Sequence, residues 1–312
     1  MSAQRRAPRP ALRPANAQTG GVIVQTFLQL SIIGISMGLI YSILACGLVL
    51  LRRATGLLNF AQGDLLMLGA YISFQFLVKM KWPMLPALVS SILVYALFGL
   101  FFMFAVFWPV RNSAWPQAAL VCTIGASMIL QEAVTLIWGS VPLTTKPFVS
   151  GTVSFGNLKL QNQYFLIMAT GVFVILLIFV LFDKLYPGKL MQATAQDKYA
   201  ARLIGIPIVM TIAFTYVLNN VIVGLAGYMV APVFIITGSL SSLQYKAFAG
   251  AIIGGFGDLR GAVLGSLIVG LVESYSTYVT TIYKDAIVFL VLILVLIVRP
   301  QGIFGEKIAD KA

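Results

Sequence analysis

Long apolar runs alternate along this chain with short breaks that are polar, glycine-rich or arginine-bearing. The runs occupy about 22–51, 57–78, 84–108, 116–138, 163–183, 207–231, 242–257, 260–278 and 284–299. A helix needs about 20 apolar residues to cross roughly 30 Å of hydrocarbon. The pattern therefore predicts an all-α, polytopic helical membrane protein of about eight full spans plus a short or broken helix. The short element is 242–257, which ends in a cluster of glycines. The first run is longer than a span needs, which lets it begin as a helix lying in the interface. It has no clear cleavage site and exceeds a signal-peptide core, so it reads as a retained span.

Composition sharpens this picture. Of 312 residues, 60% are hydrophobic and 10% charged, against roughly 25% charged in ordinary soluble domains. A soluble fold so poor in charge would expose apolar surface and aggregate. The net charge of +12 is then read loop by loop, as a mark of the cytoplasmic side and of anionic membrane lipid rather than of nucleic acid. Cys46 and Cys122 fall inside apolar runs and read as small hydrophobes without metal-type spacing. Histidine is absent, which removes the commonest general base and the commonest zinc ligand. Neither a cofactor nor a catalytic residue is expected.

Loop charge sets the expected orientation. Lys184, Lys189, Lys198 and Arg202 surround a central polar island and assign it to the cytoplasm. Counting outward, Arg52, Arg53, Arg111, Arg260, Arg299, Lys307 and Lys311 fall on the same side. The stretch from about 139 to 162, rich in Thr, Val and Phe with Gly151 and Gly156, then lies outside and carries a β-hairpin signal. The same count puts the arginine-rich tail, residues 1–20, outside. A re-entrant 57–78 would bring the tail in but expel Arg52 and Arg53, so the full span is preferred. The domain plan is a disordered basic tail over 1–20, a transmembrane domain over 21–305 and a short tail over 306–312.

Small residues recur every four positions at Gly34, Gly38, Ser42 and Cys46, and again at Gly257, Gly261 and Gly265. Such stripes let helix backbones approach closely. Helix packing is the plain reading, and a pore lining is the alternative.

Four segments carry the candidate chemistry. The polar island, Gly188–Pro207, reads as a helix over about Leu190–Ile204, with Met191, Ala195, Tyr199 and Leu203 on one side and Asp197, Lys198 and Arg202 elsewhere. Its alanines, among them Ala195, Ala200 and Ala201, keep it thin enough for a groove on a partner. Gly205 and Pro207 end it and start the next helix. A surface helix without a partner is the alternative. Asn59, Gln62 and Asp64 are the second group, costly at membrane depth at roughly 2.5–3.5 kcal/mol for a central Asp. They either face a watery pathway or cap a helix near the surface, and Asn59 and Gln62 are expected on one helical face. Third is the stretch around Gly254, Gly255, Gly257 and Gly261. It lacks the Gly-Lys-Ser/Thr ending of a phosphate loop and reads as a break between a half-helix and a full helix, with Asp258 and Arg260 at its cytoplasmic end. Glu132 is the fourth, an ionisable residue in an apolar run and a pathway candidate. Asn219, Asn220 and Glu273 are further polar residues in or near spans, without a partner evident from sequence.

Taken together, GLIYSILACGLVLL (38–51), LLNFAQGDLLMLGAY (57–71), ATAQDKYAARLIGI (193–206), KAFAGAIIGGFGDLRGAVLGSLIVGLVES (246–274) and YKDAIVFLVLILVLIVRPQGIFG (283–305) resemble the permease of ATP-binding-cassette importers for branched-chain amino acids. The resemblance runs from about residue 25 to 305 in the family's order, and residues 1–20 depart from it. It implies a type II-like importer architecture with cytoplasmic ABC ATPase subunits, a second related permease and a periplasmic substrate-binding protein. It also implies that 188–206 is the coupling helix, with Ala195, Asp197, Ala200, Ala201, Arg202 and Gly205 as its contacts. The expected function is ATP-driven import of branched-chain or other hydrophobic amino acids across a bacterial inner membrane by alternating access. Urea, short amides and aromatic acids remain open as substrates of the same family. A self-sufficient channel or secondary carrier is the rival from another class.

Overall fold

The computed structural model describes residues 16–111, 113, 115, 117–155 and 158–305. The expected tails over 1–15 and 306–312 lie outside the described residues. Residues 16–20 do not belong to a tail, because α1 (Asn16–Thr55) already includes them.

The helices that follow are α2 (Gln62–Phe74), α3 (Met84–Phe102), α4 (Trp108–Val110), α5 (Ala118–Trp138), α6 (Asn162–Asp183), α7 (Tyr186–Gln196), α8 (Lys198–Leu203), α9 (Ile208–Val230), α10 (Leu243–Gly254), α11 (Leu259–Val279) and α12 (Lys284–Val298). A π turn over Gln75–Lys79 extends α2, and another over Met103–Phe107 joins α3 to α4. The expected hairpin is present: β1 (Thr152–Phe155) pairs antiparallel with β2 (Leu158–Gln161), Thr152 opposite Gln161. The described fold is otherwise helical.

Six helical stretches are long and apolar enough to cross a membrane: Val24–Thr55, Met84–Val110, Ala118–Trp138, Asn162–Asp183, Ile208–Val230 and Leu259–Val279. The other three apolar runs form shorter helices. At 1.5 Å per residue, α12 reaches only about 22 Å and α10 about 18 Å. The run 57–78 loses its first turn because local bonds compete with helix. Gly56, at φ +79°, donates to Arg52 O and closes α1. Thr55 Oγ1 then accepts from Leu57 N, and Asn59 Oδ1 from Ala61 N. Helix α2 therefore starts at Gln62, inside the protein.

Helix α1 is the central post, with Tyr41, Leu44 and Leu48 fully buried. The first glycine stripe, and Gly261 and Gly265 of the second, are packing surfaces, whereas Gly257 lies in the break before α11 with open space around it. A Cβ on Gly38 would lie 2.9 Å from Leu267 Cα, and one on Gly270 would lie 2.5 Å from Gly34 O, so α1 and α11 meet backbone to backbone. The second stripe does the same for the α10–α11 pair, where a Cβ on Gly265 would lie 2.1 Å from Gly250 O. Close approach replaces the hydrophobic drive that lipid-facing helices lack. Outer faces of α3 and α6 present exposed Leu93, Leu97, Phe101, Phe173 and Leu176, apolar surface suited to lipid.

Candidate coupling surface and polar waist

The central island is two helices, not one. α7 ends at Gln196, Asp197 is extended at φ −151° and ψ 110°, and α8 begins at Lys198. The break comes from Asp197 itself, whose Oδ1 accepts from Tyr199 N at 2.7 Å and Ala200 N at 3.1 Å. A carboxylate at this position satisfies the free amides of a new helix better than it continues an old one.

The corner changes which side chains face outward. Met191 and Thr194 are buried in α7, while Tyr199, Leu203 and Ile204 are exposed. The expected shared face of Met191, Tyr199 and Leu203 is therefore corrected. Ala201 is likewise not at the surface: it is 3% exposed, turned inward by the new register. Asp197, Ala200, Arg202 and Gly205 are exposed and Ala195 is half-buried, so these five stay together on the outer side. Gly205 takes φ +84° and closes the segment before Pro207 caps α9.

The corner is firmly seated. A Cβ on Gly188 would lie 2.1 Å from Leu181 O, so α7 lies directly against the end of α6. Lys198 Nζ donates to Thr55 O at 2.8 Å, tying the corner to the end of α1. Partial burial there pushes the Lys198 ammonium below the ordinary lysine pKa.

Beside the corner lies the glycine break, as the sequence predicts. Gly255 at φ +109° and Gly257 at φ +140° turn the chain out of α10, and Asp258 Oδ2 caps α11 through Gly261 N at 3.0 Å. Gly254 and Gly261 hold the two helices together, since a Cβ on Gly254 would meet Gly261 O. Arg52 Nη1 donates to Phe256 O at 2.9 Å and Arg53 Nε to Gly257 O at 2.7 Å, so the end of α1 also grips this break.

A second polar group lies in the protein interior. Gln62 Nε2 donates to Asn219 Oδ1 at 2.8 Å and Asn219 Nδ2 to Gln62 Oε1 at 3.2 Å, and both side chains are fully buried. Asn59 is not on a helical face with Gln62, because it precedes the first turn of α2, although its Nδ2 reaches Gln62 Oε1 at 3.5 Å. Gly63 N donates to Gln244 Oε1 at 2.8 Å, so the starts of the two short helices α2 and α10 meet here. Asp64, in the first turn of α2, accepts from Gln131 Nε2 at 2.8 Å through Oδ1. Its Oδ2 is buried without a hydrogen-bond partner among the described residues. Gln131 Nε2 also lies 3.3 Å from Ser241 Oγ. This is a waist of polar groups where interrupted helices begin, the place membrane transport proteins tolerate irregular backbone. Glu132 is not part of it. It is exposed on the outer side of α5.

One constellation escapes sequence reading altogether. Lys246 of α10 contacts Glu273 of α11 at 2.5 Å and Asp285 of α12 at 3.0 Å. Tyr41 OH donates to Glu273 Oε2 at 2.6 Å, and Lys284 Nζ lies 3.6 Å from Glu273 Oε1. The signal was a lysine and a glutamate in separate apolar runs, each needing an opposite charge. Nothing local says that they find each other.

Comparison with known proteins gives a consistent answer. The family model described as branched-chain amino acid transport system / permease component matches residues 31–296. The high-affinity branched-chain amino acid transport system permease protein LivH of Escherichia coli (strain K12) is 30% identical over 303 residues, 91% of this chain and 97% of that protein. BraD of Pseudomonas aeruginosa, a permease protein of the same description, is 30% identical over 303 residues, 91% of this chain and 98% of its own. A probable LivH of Methanocaldococcus jannaschii is 27% identical over 283 residues, 84% of this chain and 88% of its own. Among solved structures, PsaBC from Streptococcus pneumoniae in complex with Fab aligns with 95% of this chain and 96% of that chain, at 13% identity and a TM-score of 0.48, too distant to carry an argument.

Proposed function

The chain belongs to the family of permease components of branched-chain amino acid transport systems, and from that premise we propose how it works within an ATP-driven importer. It is a multi-pass membrane permease and not an enzyme; ATP hydrolysis belongs to partner subunits. The cargo is a branched-chain or other hydrophobic amino acid, crossing a bacterial inner membrane inward. The relatives' names, both high-affinity branched-chain amino acid transport system permeases, support this cargo.

One observation carries the coupling role. The α7–α8 corner is pinned to α1 by Lys198 and to α6 through Gly188, yet presents Tyr199, Arg202, Leu203 and Ile204 to the exterior. A rigid mount under an exposed amphipathic surface suits a part that receives force. Five of the six contacts expected from the sequence (Ala195, Asp197, Ala200, Arg202 and Gly205) form that surface for the cytoplasmic ATPase. Moving a two-state balance from 1:99 to 99:1 takes about 5.5 kcal/mol, so the mount must be stiff.

In the membrane, α2 with its π turn and α12 complete two crossings beyond the six long helices, and α10 is the broken half-helix. The end bearing Arg52, Arg53, Lys198 and Arg202 is cytoplasmic. The permease works beside a second, related permease, with a periplasmic binding protein selecting the cargo. The face of α5 turns toward that second permease. It exposes Val121, Met128, Ile129 and Leu136 around Glu132, and a carboxylate in that row is poorly suited to lipid. The pathway then runs between α5 and the waist of Asn59, Gln62 and Asp64, whose side chains are buried.

The test is uptake of leucine into proteoliposomes holding the complete complex. Uptake should require ATP and the binding protein. Conduction by the isolated chain, without ATP, would overturn the reading in favour of a channel.

A further inference from the structure

Three cations at the basic end have no carboxylate partner among the described residues. Arg52, Arg53 and Lys198 spend their resolved hydrogen bonds on main-chain carbonyls, those of Phe256, Gly257 and Thr55. The two nearby carboxylates are committed elsewhere, Asp197 to the start of α8 and Asp258 to the start of α11. Among the described residues, Arg52, Arg53 and Lys198 are therefore concentrated along a groove whose two lining carboxylates, Asp258 and Asp197, make no ion pair with them.

The groove has two lobes sharing Arg52, Arg53, Phe256 and Gly257. One, of about 640 Å³, is walled on its far side by the α7–α8 corner. The other, of about 590 Å³, is walled by Pro300, Gln301, Phe304 and Gly305. This second wall is built, not loose. Ile303 N donates to Ile253 O and Phe304 N to Gly254 O, both at 2.9 Å, so the segment after α12 caps the last carbonyls of α10. Gly302 and Gly305 allow that contact, since a Cβ on Gly302 would lie 2.5 Å from Gly255 Cα and one on Gly255 would lie 2.7 Å from Gly305 N. Stacking fixes the guanidinium groups as well: Arg52 lies 4.4 Å over the Phe256 ring and Arg53 lies 5.3 Å over Phe182.

We infer that this cleft is a second docking point for the ATPase subunit, taking a carboxylate side chain of that subunit between Arg52 and Arg53. The inference rests on the importer reading and extends it. Continuity with the corner says that one partner covers both, and the charge says what that partner brings. The cleft adds the α10–α11 break and the segment after α12 to the footing that the corner offers through α1 and α6.

The experiment uses the complete complex in nanodiscs, with ATPase retention, ATPase activity and leucine uptake measured for Arg52→Glu/Arg53→Glu, Arg52→Lys/Arg53→Lys and the control Arg260→Glu. The double reversal should weaken ATPase retention at least tenfold, with retention in the wild type and the lysine variant falling as salt rises. Arg260→Glu should leave retention unchanged. A lysine variant that fails alongside the reversal, with the same loss of thermal stability, would overturn the inference in favour of a purely structural role. Retention that follows the phosphatidylglycerol content of the nanodisc in the wild type, and not the reversal, would overturn it in favour of a lipid headgroup site. Normal retention and uptake in the double reversal, with Arg202→Glu still defective, would sink the second docking point and leave the importer intact. Absence of any ATPase from the wild-type complex would instead sink the importer reading itself.

Discussion

Gln62 and Asn219 form a reciprocal amide pair across 157 positions of sequence, at 2.8 and 3.2 Å, with no solvent exposure on either side chain. Each amide answers the other's need for a donor and an acceptor where water is absent. Gly47 on α1 makes room for the pair, since a Cβ there would fall 2.3 Å from Asn219 Oδ1.

Asn219→Leu should therefore cost about 1–3 kcal/mol, the penalty for leaving a buried amide unsatisfied. Gln62→Leu/Asn219→Leu should recover part of the loss, because neither amide of the pair is then left unanswered and only the long 3.5 Å bond from Asn59 Nδ2 is given up. Thermal unfolding of the complex in mild detergent, read as a double-mutant cycle, checks both. Additive losses from the two single changes would mean that the pair is not coupled.

The Lys246–Glu273 contact supports a second expectation. Both side chains are 11% exposed, and removing one partner of a buried ion pair typically costs about 3–5 kcal/mol. Lys246→Met should approach that loss, softened by Lys284 at 3.6 Å from the same carboxylate. Lys246→Met/Glu273→Leu should cost less than the sum of the two single changes, the remaining loss coming from the buried Tyr41 hydroxyl left without its acceptor. Equal stability of Lys246→Met and wild type in a detergent melt would contradict a stabilising contact between α10 and α11.

Glycine positions separate packing from open surface. Gly254→Val must fail to fold correctly, because even its Cβ would meet the Gly261 carbonyl. Gly125, on α5, has nothing within 4 Å of where a Cβ would stand. Gly125→Leu should leave the single chain's stability within about 0.5 kcal/mol of wild type, the usual range for a substitution away from packed features. It should nonetheless reduce co-purification of the second permease if α5 is the contact between them. Unchanged pairing would move that contact to another helix.

Much of this architecture is legible in the sequence, for physical reasons that can be named. Apolar runs of span length, arginines at their ends and glycines every four residues act locally, so the long helices, the hairpin and the α10–α11 break follow from them directly. Two features were not legible in the same way. Asp197 reads as an ordinary polar position in a helix, yet its carboxylate outcompetes helix continuation and turns Ala201 inward. Likewise Asn59 sits three residues before Gln62, and only the Asn59–Ala61 turn takes it off the helix. Long-range pairs such as Lys246 with Glu273 carry no local signature at all. At the candidate site, composition singles out the segments, while which face of each looks outward depends on these short polar bonds.

The most direct measurement is the number of leucine molecules imported per ATP hydrolysed by the complete complex in proteoliposomes, wild type against Arg202→Glu and Gly205→Leu. Both substitutions lie on the exposed side of the corner, away from the interior packing. If that corner receives the motor's stroke, uptake should fall at least tenfold while hydrolysis continues and the chain stays folded. Wild-type import per ATP in both variants would contradict the claim that this surface couples the two.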